Sequence, residues 1–346
     1  MKTSTTHSKS ALLILLVCLM GTAKATAQNF TVGNLNYSVN NEGTTVTVKG
    51  HKDGVWATGT LVIPETVTYT SNSYAVTAIA DSAFCRCWGL TGSLVIPNSV
   101  ISIGNGAFKD CSGFTGSLTI GRSVTTIGNE AFWWCDGFTG NLTIGASVAS
   151  IGPSSFAYCR HFSGALVIPD SVTKIGNDAF HGDSGFTSLS IGQSVTSIGD
   201  GAFQSCWQLS GDLVIPDAVT TIGEYAFADC EGFTGSLILG RSVRTIGDWA
   251  FYDCSGFRGR LTLGNSVTTI GDGAFYYCKG FTGDLSIPSS VTNLSDIAFG
   301  ECTGFKTITT SYTVTSESDC AFGYCSGLTS KNSKKARGFQ TNKLSW

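Results

Sequence analysis

The segment Leu118-Thr-Ile-Gly-Arg-Ser-Val-Thr-Thr-Ile-Gly-Asn-Glu-Ala-Phe-Trp-Trp-Cys-Asp-Gly-Phe-Thr-Gly-Asn141 is 24 residues long, and a near copy begins at Leu142. Working outward from Phe132, equivalent phenylalanines stand at Phe84, Phe108, Phe156, Phe180, Phe203, Phe227, Phe251, Phe275, Phe299 and Phe322. Eight of the ten steps are 24 residues and two are 23, so the chain is an array of eleven units. A second ladder runs Phe114, Phe138, Phe162, Phe186, Phe233, Phe257, Phe281 and Phe305, with Leu90, Leu209 and Leu328 in the remaining places. Together the ladders take 19 of the 21 phenylalanines, which leaves little apolar aromatic mass for any other core.

Within a unit, Leu118 and Ile120 alternate as a short strand does, which puts both on one face and Thr119 on the other. The Gly or Pro that follows (Pro97, Gly121, Gly145, Pro169, Pro216, Pro288) ends the strand. Val124, Ile127 and the Ala131-Phe132 pair suit a second short extended or helical-turn segment on the far side, returning through a Gly-Phe-Thr-Gly corner. One such coil cannot bury its own apolar face, whereas stacked coils join equivalent residues into continuous columns. The expected fold is therefore a β-rich repeat solenoid of about eleven coils. At strand spacing it should be roughly 50 Å long.

The ends depart from the pattern. Residues 1–27 read as a secretory signal peptide: Lys2 and Lys9 precede an apolar run from Ala11 to Met20, and Ala25-Thr26-Ala27 offers a cleavage site before Gln28. The apolar run is too short to span a bilayer, and no later stretch supplies a transmembrane helix. Residues 28–60 carry Leu35-Asn-Tyr-Ser-Val39 and Thr45-Val-Thr-Val-Lys49 around Asn40-Asn-Glu-Gly43, a hairpin signal that suits a cap. The solenoid is expected over 61–328, with nine extra residues in its first unit. Residues 329–346 are basic, lack the repeat and are expected to be disordered. The formal charge of −3 averages over these ends, because residues 28–330 hold 24 acids against 13 bases, a net −11. An acidic body argues against a nucleic-acid partner.

Of the 13 cysteines, ten fall three residues after a ladder Phe: Cys87, Cys111, Cys135, Cys159, Cys206, Cys230, Cys254, Cys278, Cys302 and Cys325. Stacked coils bring equivalent Cα atoms near 5 Å, inside the range for a disulfide. Side chains in register point the same way, however, so the column reads as buried reduced thiols acting as small hydrophobes. Disulfides or a metal site are the alternatives. Cys85 and Cys320 fall outside the column. Asp183 takes the column position in the fifth unit, beside His181; a local bulge turning it outward is the expected solution, since burying a lone carboxylate is costly. A functional notch is the alternative.

These repeats, as in Leu166-Val-Ile-Pro-Asp-Ser-Val-Thr-Lys-Ile-Gly-Asn-Asp-Ala-Phe180 and Leu285-Ser-Ile-Pro-Ser-Ser-Val291, resemble the BspA-like leucine-rich-repeat proteins of bacterial surfaces. The resemblance covers about residues 61–328. It implies a secreted or cell-surface protein that adheres to host matrix proteins or other cells. The family's common unit has 23 residues, and most units here carry one more Gly.

Signals for chemistry are sparse. His7, His51, His161 and His181 are scattered, and the Gly-x-Gly pairs at Gly104/Gly106, Gly199/Gly201 and Gly271/Gly273 are repeat turns without the third Gly of a phosphate loop. No catalytic set, metal site or cofactor is expected. The strand positions expected to face out (Val95, Thr119, Thr143, Val167, Ser190, Val214, Ile238, Thr262, Ser286) are small and uncharged. The two places after each ladder Phe are richer, with Trp133, Trp134, Tyr158, Tyr252, Tyr276 and Tyr277. Trp and Tyr favour interfaces because they join apolar area to a polar tip. Either one residue of each pair packs over the corner and the other is merely exposed, or the set forms a ligand-binding ridge. Asp110, Asp136, Asp229, Asp253 and Glu301 line the same edge and favour a basic partner. The expected protein is a non-catalytic monomer that binds an extracellular protein or glycan. Glycan capture for a polysaccharide-uptake system, or a passive spacer role, are the alternatives to adhesion.

Overall fold

The computed structural model of the chain describes residues 28–310 and 321–328. The signal peptide expected at 1–27, the basic tail expected at 329–346 and Cys320 lie outside the described residues.

Each unit is one turn of a β-solenoid. The long sheet is built from the second segment of the repeat, not the first. Two-residue strands such as Ser102–Ile103, Thr126–Ile127 and Ser150–Ile151 pair in parallel, residue on equivalent residue, in a run that ends at Asn293–Leu294. The Leu-x-Ile segments, which the sequence marks as the more evident strands, form four shorter sheets on the other side. Among these, Gly89–Ile96 pairs with Phe114–Ile120 and that with Leu142–Thr143. The β-branched rung position explains the first result: Ser or Thr faces out while Ile faces the core, a period of two compressed into a dipeptide.

The amino-terminal hairpin continues the long sheet. Strand Asn29–Val32 pairs antiparallel with Leu35–Val39, which pairs antiparallel with Thr45–His51. Thr45–His51 then runs parallel to Asn72–Ile79, whose Ala78 and Ile79 face Ser102 and Ile103. The edge of the stack is thus closed by strands of a different hand of pairing. The extra residues of the first unit fold as a hairpin of Thr66–Tyr69 against Asn72–Ile79.

Phe84 through Phe322 form one stack in which all ten neighbouring pairs have ring centroids 5.0–5.4 Å apart and planes within 12°. The Phe180–Phe203 step keeps this geometry at 5.4 Å and 4° although its unit has 23 residues. The missing residue comes from the corner, where Gly185-Phe-Thr-Ser188 replaces Gly-Phe-Thr-Gly-x, so the stack does not feel it. Beside the rings, Phe108 N–H donates to the Ala131 carbonyl one coil on at 2.7 Å, and equivalent bonds of 2.7–2.9 Å recur from Phe84 to Phe299. The glycine before seven of the eight second-ladder Phe residues, His161 standing before Phe162, serves this close approach: a Cβ on Gly113 would sit 2.0 Å from the Trp88 carbonyl oxygen of the previous coil.

Phe203 is fully buried between Phe180 and Phe227. Phe203→Ala should therefore lower unfolding stability by about 3–5 kcal/mol in urea titrations. A loss under about 1 kcal/mol would mean that the stack does not carry the core.

Candidate aromatic ridge and thiol column

The ten predicted column cysteines are all buried, and no disulfide links them or Cys85. Each thiol donates to a carbonyl in the preceding coil: Cys111 Sγ to Phe84 O at 2.8 Å, Cys135 Sγ to Phe108 O at 3.0 Å, and so on to Cys325 Sγ to Phe299 O at 3.0 Å. Cysteine therefore ties coils together as well as filling space, because its small side chain carries a donor to the second lone pair of a buried carbonyl, as at Phe84 O, which also accepts the Cys87 backbone N–H at 3.1 Å. Burial pushes the Cys87 and Cys325 thiols up to about 11, and holds the fully buried Cys159, Cys206, Cys230, Cys254 and Cys302 well above the ordinary thiol range. Among the described residues no group of three or more His, Cys, Asp or Glu is placed to hold a metal.

Asp183 does not turn outward as the sequence reading expected. It is fully buried in the column, and its Oδ1 accepts the Cys159 backbone N–H at 2.7 Å. Its Oδ2 has no partner among the described residues. Burial pushes the carboxyl well above the ordinary carboxylate range, against the opposing pull of the Cys159 N–H and of the Arg160 charge. The in-register stack leaves no slack for a bulge, so the side chain stays inside and the protonated form is favoured.

The chain reverses on either side of each stacked Phe, and both reversals use left-handed backbone. Two residues after the Phe, φ lies between 48° and 67° at Arg86, Asp110, Trp134, Tyr158, Ser205, Asp229, Asp253, Tyr277, Glu301 and Tyr324, and Gly182 completes the column. Two residues before it, Glu130, Tyr225 and Trp249 share the conformation, with φ of 53° to 57°. A left-handed non-glycine residue costs roughly 1–2 kcal/mol. Here that geometry throws large side chains clear of the core.

The predicted ridge residues gather into two patches, not one line. Trp133, Trp134 and Tyr158 form the first, with centroid separations of 5.1, 5.6 and 6.1 Å, and His181 extends it 5.0 Å beyond Tyr158. Tyr252, Tyr276 and Tyr277 fall in the second. Between them the same positions hold Gln204, Ser205 and Ala228. Two members of the second patch were missed: Tyr225 and Trp249 reach the ridge from the left-handed positions two residues before their ladder Phe, with Trp249 5.7 Å from Tyr252 and 5.8 Å from Tyr276. Their signal was present as aromatic residues at one repeat phase in consecutive units. Trp134, Tyr225 and Tyr277 are exposed, while Trp133, Tyr158, Trp249, Tyr252 and Tyr276 are half-buried.

Two open cavities lie on the described surface. One of about 570 Å³ beneath the cap is lined by residues that include His51 and Tyr37 but no carboxylate or cysteine. Another lies over the Asp217–Arg241 ion pair.

The architecture is that of a leucine-rich-repeat solenoid. The chain belongs to the BspA type leucine-rich-repeat family, whose model matches residues 77–210, 162–281 and 198–329. Among solved structures it is similar to a leucine-rich-repeat protein from Bacteroides ovatus, at 28% identity and a TM-score of 0.63 over 86% of this chain and 69% of that one. It is also similar to a leucine-rich cell surface protein from Faecalibacterium prausnitzii, at 22% identity and a TM-score of 0.48 over 88% and 94% of the two chains. No functionally curated protein matches the chain.

Thiol labelling of the native protein should modify Cys85, which is partly exposed, well before any column cysteine, and denaturant should release the rest. Fast native labelling of several column thiols would contradict the packing. Asp183 makes a pH-dependent contribution. An acid whose folded pKa is raised binds more protons in the folded than in the unfolded state, so stability falls as pH rises from about 4 toward the folded value. Asp183→Asn should remove that slope, at most about 1.4 kcal/mol per pH unit, and its advantage over the wild type should grow with pH. Parallel stability curves for the two proteins would refute the buried assignment.

Proposed function

We propose that this protein is exported by its leader and acts outside the cell as a non-catalytic adhesive scaffold, binding an extracellular macromolecule through the aromatic ridge. The observation that carries this reading is the ridge itself. Large aromatic side chains are held out of the core by strained backbone on an otherwise rigid stack, and such residues dominate binding energy at interfaces. Membership of a family of repeat scaffolds supports it. So does the surface of the Leu-x-Ile strands, where Val95, Val167 and Val214 are exposed among Ser and Thr with no charged group to read a ligand.

The test is a binding screen of the purified protein against matrix proteins and a glycan array, repeated with Trp134→Ala combined with Tyr277→Ala. Both residues are exposed, so the fold should tolerate the pair. Losing two interface anchors should weaken binding at least about tenfold. Unchanged binding in the double variant would remove the ridge from the interaction. Wild-type protein that captures nothing in either screen would favour a spacer role.

A further inference from the structure

The two aromatic patches differ in what already covers them. In the first, the chain supplies its own cations. Lys109 Nζ lies 4.6 Å from the Trp133 ring centroid and pairs with Glu130 at 2.5 Å. The Arg160 guanidinium lies 5.6 Å from the Trp134 ring and 5.5 Å from the Tyr158 ring, with an Asp136 oxygen at 3.8 Å. Each cation is thus set between an aromatic face and a carboxylate, where the ring quadrupole and the opposite charge act together.

The second patch has the rings and the carboxylates without most of the cations. Tyr252 and Tyr276 stack at 6.1 Å with planes 12° apart, and Trp249 meets both edge-on. Among the described residues no Lys or Arg lies over Tyr225, Trp249, Tyr252 or Tyr276; Lys279, 3.3 Å from the Tyr277 centroid, is the cation of this patch. Asp229, Asp253 and Glu301 share the left-handed column with Tyr277, and none has an ion-pair partner among the described residues. They stand close enough to act on the rings and on each other. Burial, then the Asp253 and Asp229 charges, push the Tyr252 phenol up, and burial, then Glu301, do so for Tyr276. Burial and Asp253 raise Asp229 as well.

We infer that the second patch is a docking surface for a cationic polypeptide segment, whose Lys or Arg side chains lie on Trp249, Tyr252 and Tyr276 and pair with Asp229, Asp253 and Glu301. The first patch is the intramolecular counterpart of the bound state, with Lys109 and Arg160 in the places that a partner's side chains take on the second. An incoming cation relieves the repulsion between Asp229 and Asp253, and the net −11 of residues 28–330 draws it in. A neutral glycan would use the rings and leave the carboxylates unpaired. This inference rests on the reading of the ridge as a binding surface and narrows it to one patch and one partner chemistry.

The experiment uses octa-arginine, with a Gly/Ser peptide of equal length as control, titrated into the protein at physiological ionic strength by calorimetry and tryptophan fluorescence. Octa-arginine should bind and the Gly/Ser peptide should not. Trp249→Leu keeps apolar bulk and net charge but removes the aromatic face, and should weaken binding about fivefold. Asp229→Asn with Asp253→Asn should weaken it about tenfold. Asp170→Asn with Asp212→Asn removes the same charge from exposed positions elsewhere on the coil, and should change binding less than about twofold. The proposal is overturned if octa-arginine does not bind, if Trp249→Leu binds it as the wild type does, or if the Asp170/Asp212 pair loses as much as the Asp229/Asp253 pair. Any of these results, with the Trp134/Tyr277 variant still losing its macromolecular target, would leave the ridge as a binding surface and reject its cationic partner.

Discussion

Equivalent groups in successive coils must meet at about 5 Å, and the rest of the molecule follows from that requirement. The phenylalanine rings satisfy it by lying nearly parallel at 5.0–5.4 Å, and the adjacent Phe N–H to Ala carbonyl bonds satisfy it in the backbone. Neither is optional. Rings at that distance exclude water from the whole length of the stack, and buried backbone groups without partners would cost more than the packing returns. The same requirement explains the glycine before all second-ladder Phe residues but Phe162, where a Cβ would strike the previous coil. It also explains why a residue is lost at a corner and not within a rung.

Most of the core was legible because a column repeats its residue type, eleven times for the stacked Phe and ten times for Cys. Phe132, Cys135, Ile127 and Leu118 declare themselves by recurrence, and all are buried. What the recurrence hid was the division of labour between Leu-x-Ile and the Thr-Ile dipeptide. Two residues are too few to show a strand period, yet Thr126–Ile127 belongs to the continuous sheet. Asp183 was misread for a related reason. A general rule about lone carboxylates pointed outward, but the neighbouring coils at Cys159 and Cys206 leave the backbone no other path.

The ridge was only partly legible. Trp133, Trp134, Tyr158, Tyr252, Tyr276 and Tyr277 could be picked out as large residues at variable positions. Their separation into two patches depends on which side chains a left-handed residue throws together, and hydrophobic patterning carries no sign of φ. Tyr225 and Trp249 precede the landmark Phe while Tyr252 and Tyr276 follow theirs, so the contact between the two sets joins two different repeat phases and was not read. The settings of the patches were equally hidden. Lys109 and Arg160 sit in neighbouring repeats, and only the stacked structure shows them over the rings.

Stacking also makes the distance between the two patches a counted quantity. Trp134 and Tyr277 occupy one column, separated by a whole number of coils, each about one strand spacing high. Duplication or loss of a repeat between them would move one patch against the other by a full step while leaving the chemistry of both intact. A substitution within a coil cannot produce such a step. The repeat number thus works as a ruler: it sets the span over which a partner touching both patches must reach, independently of the residues that set how tightly it is held.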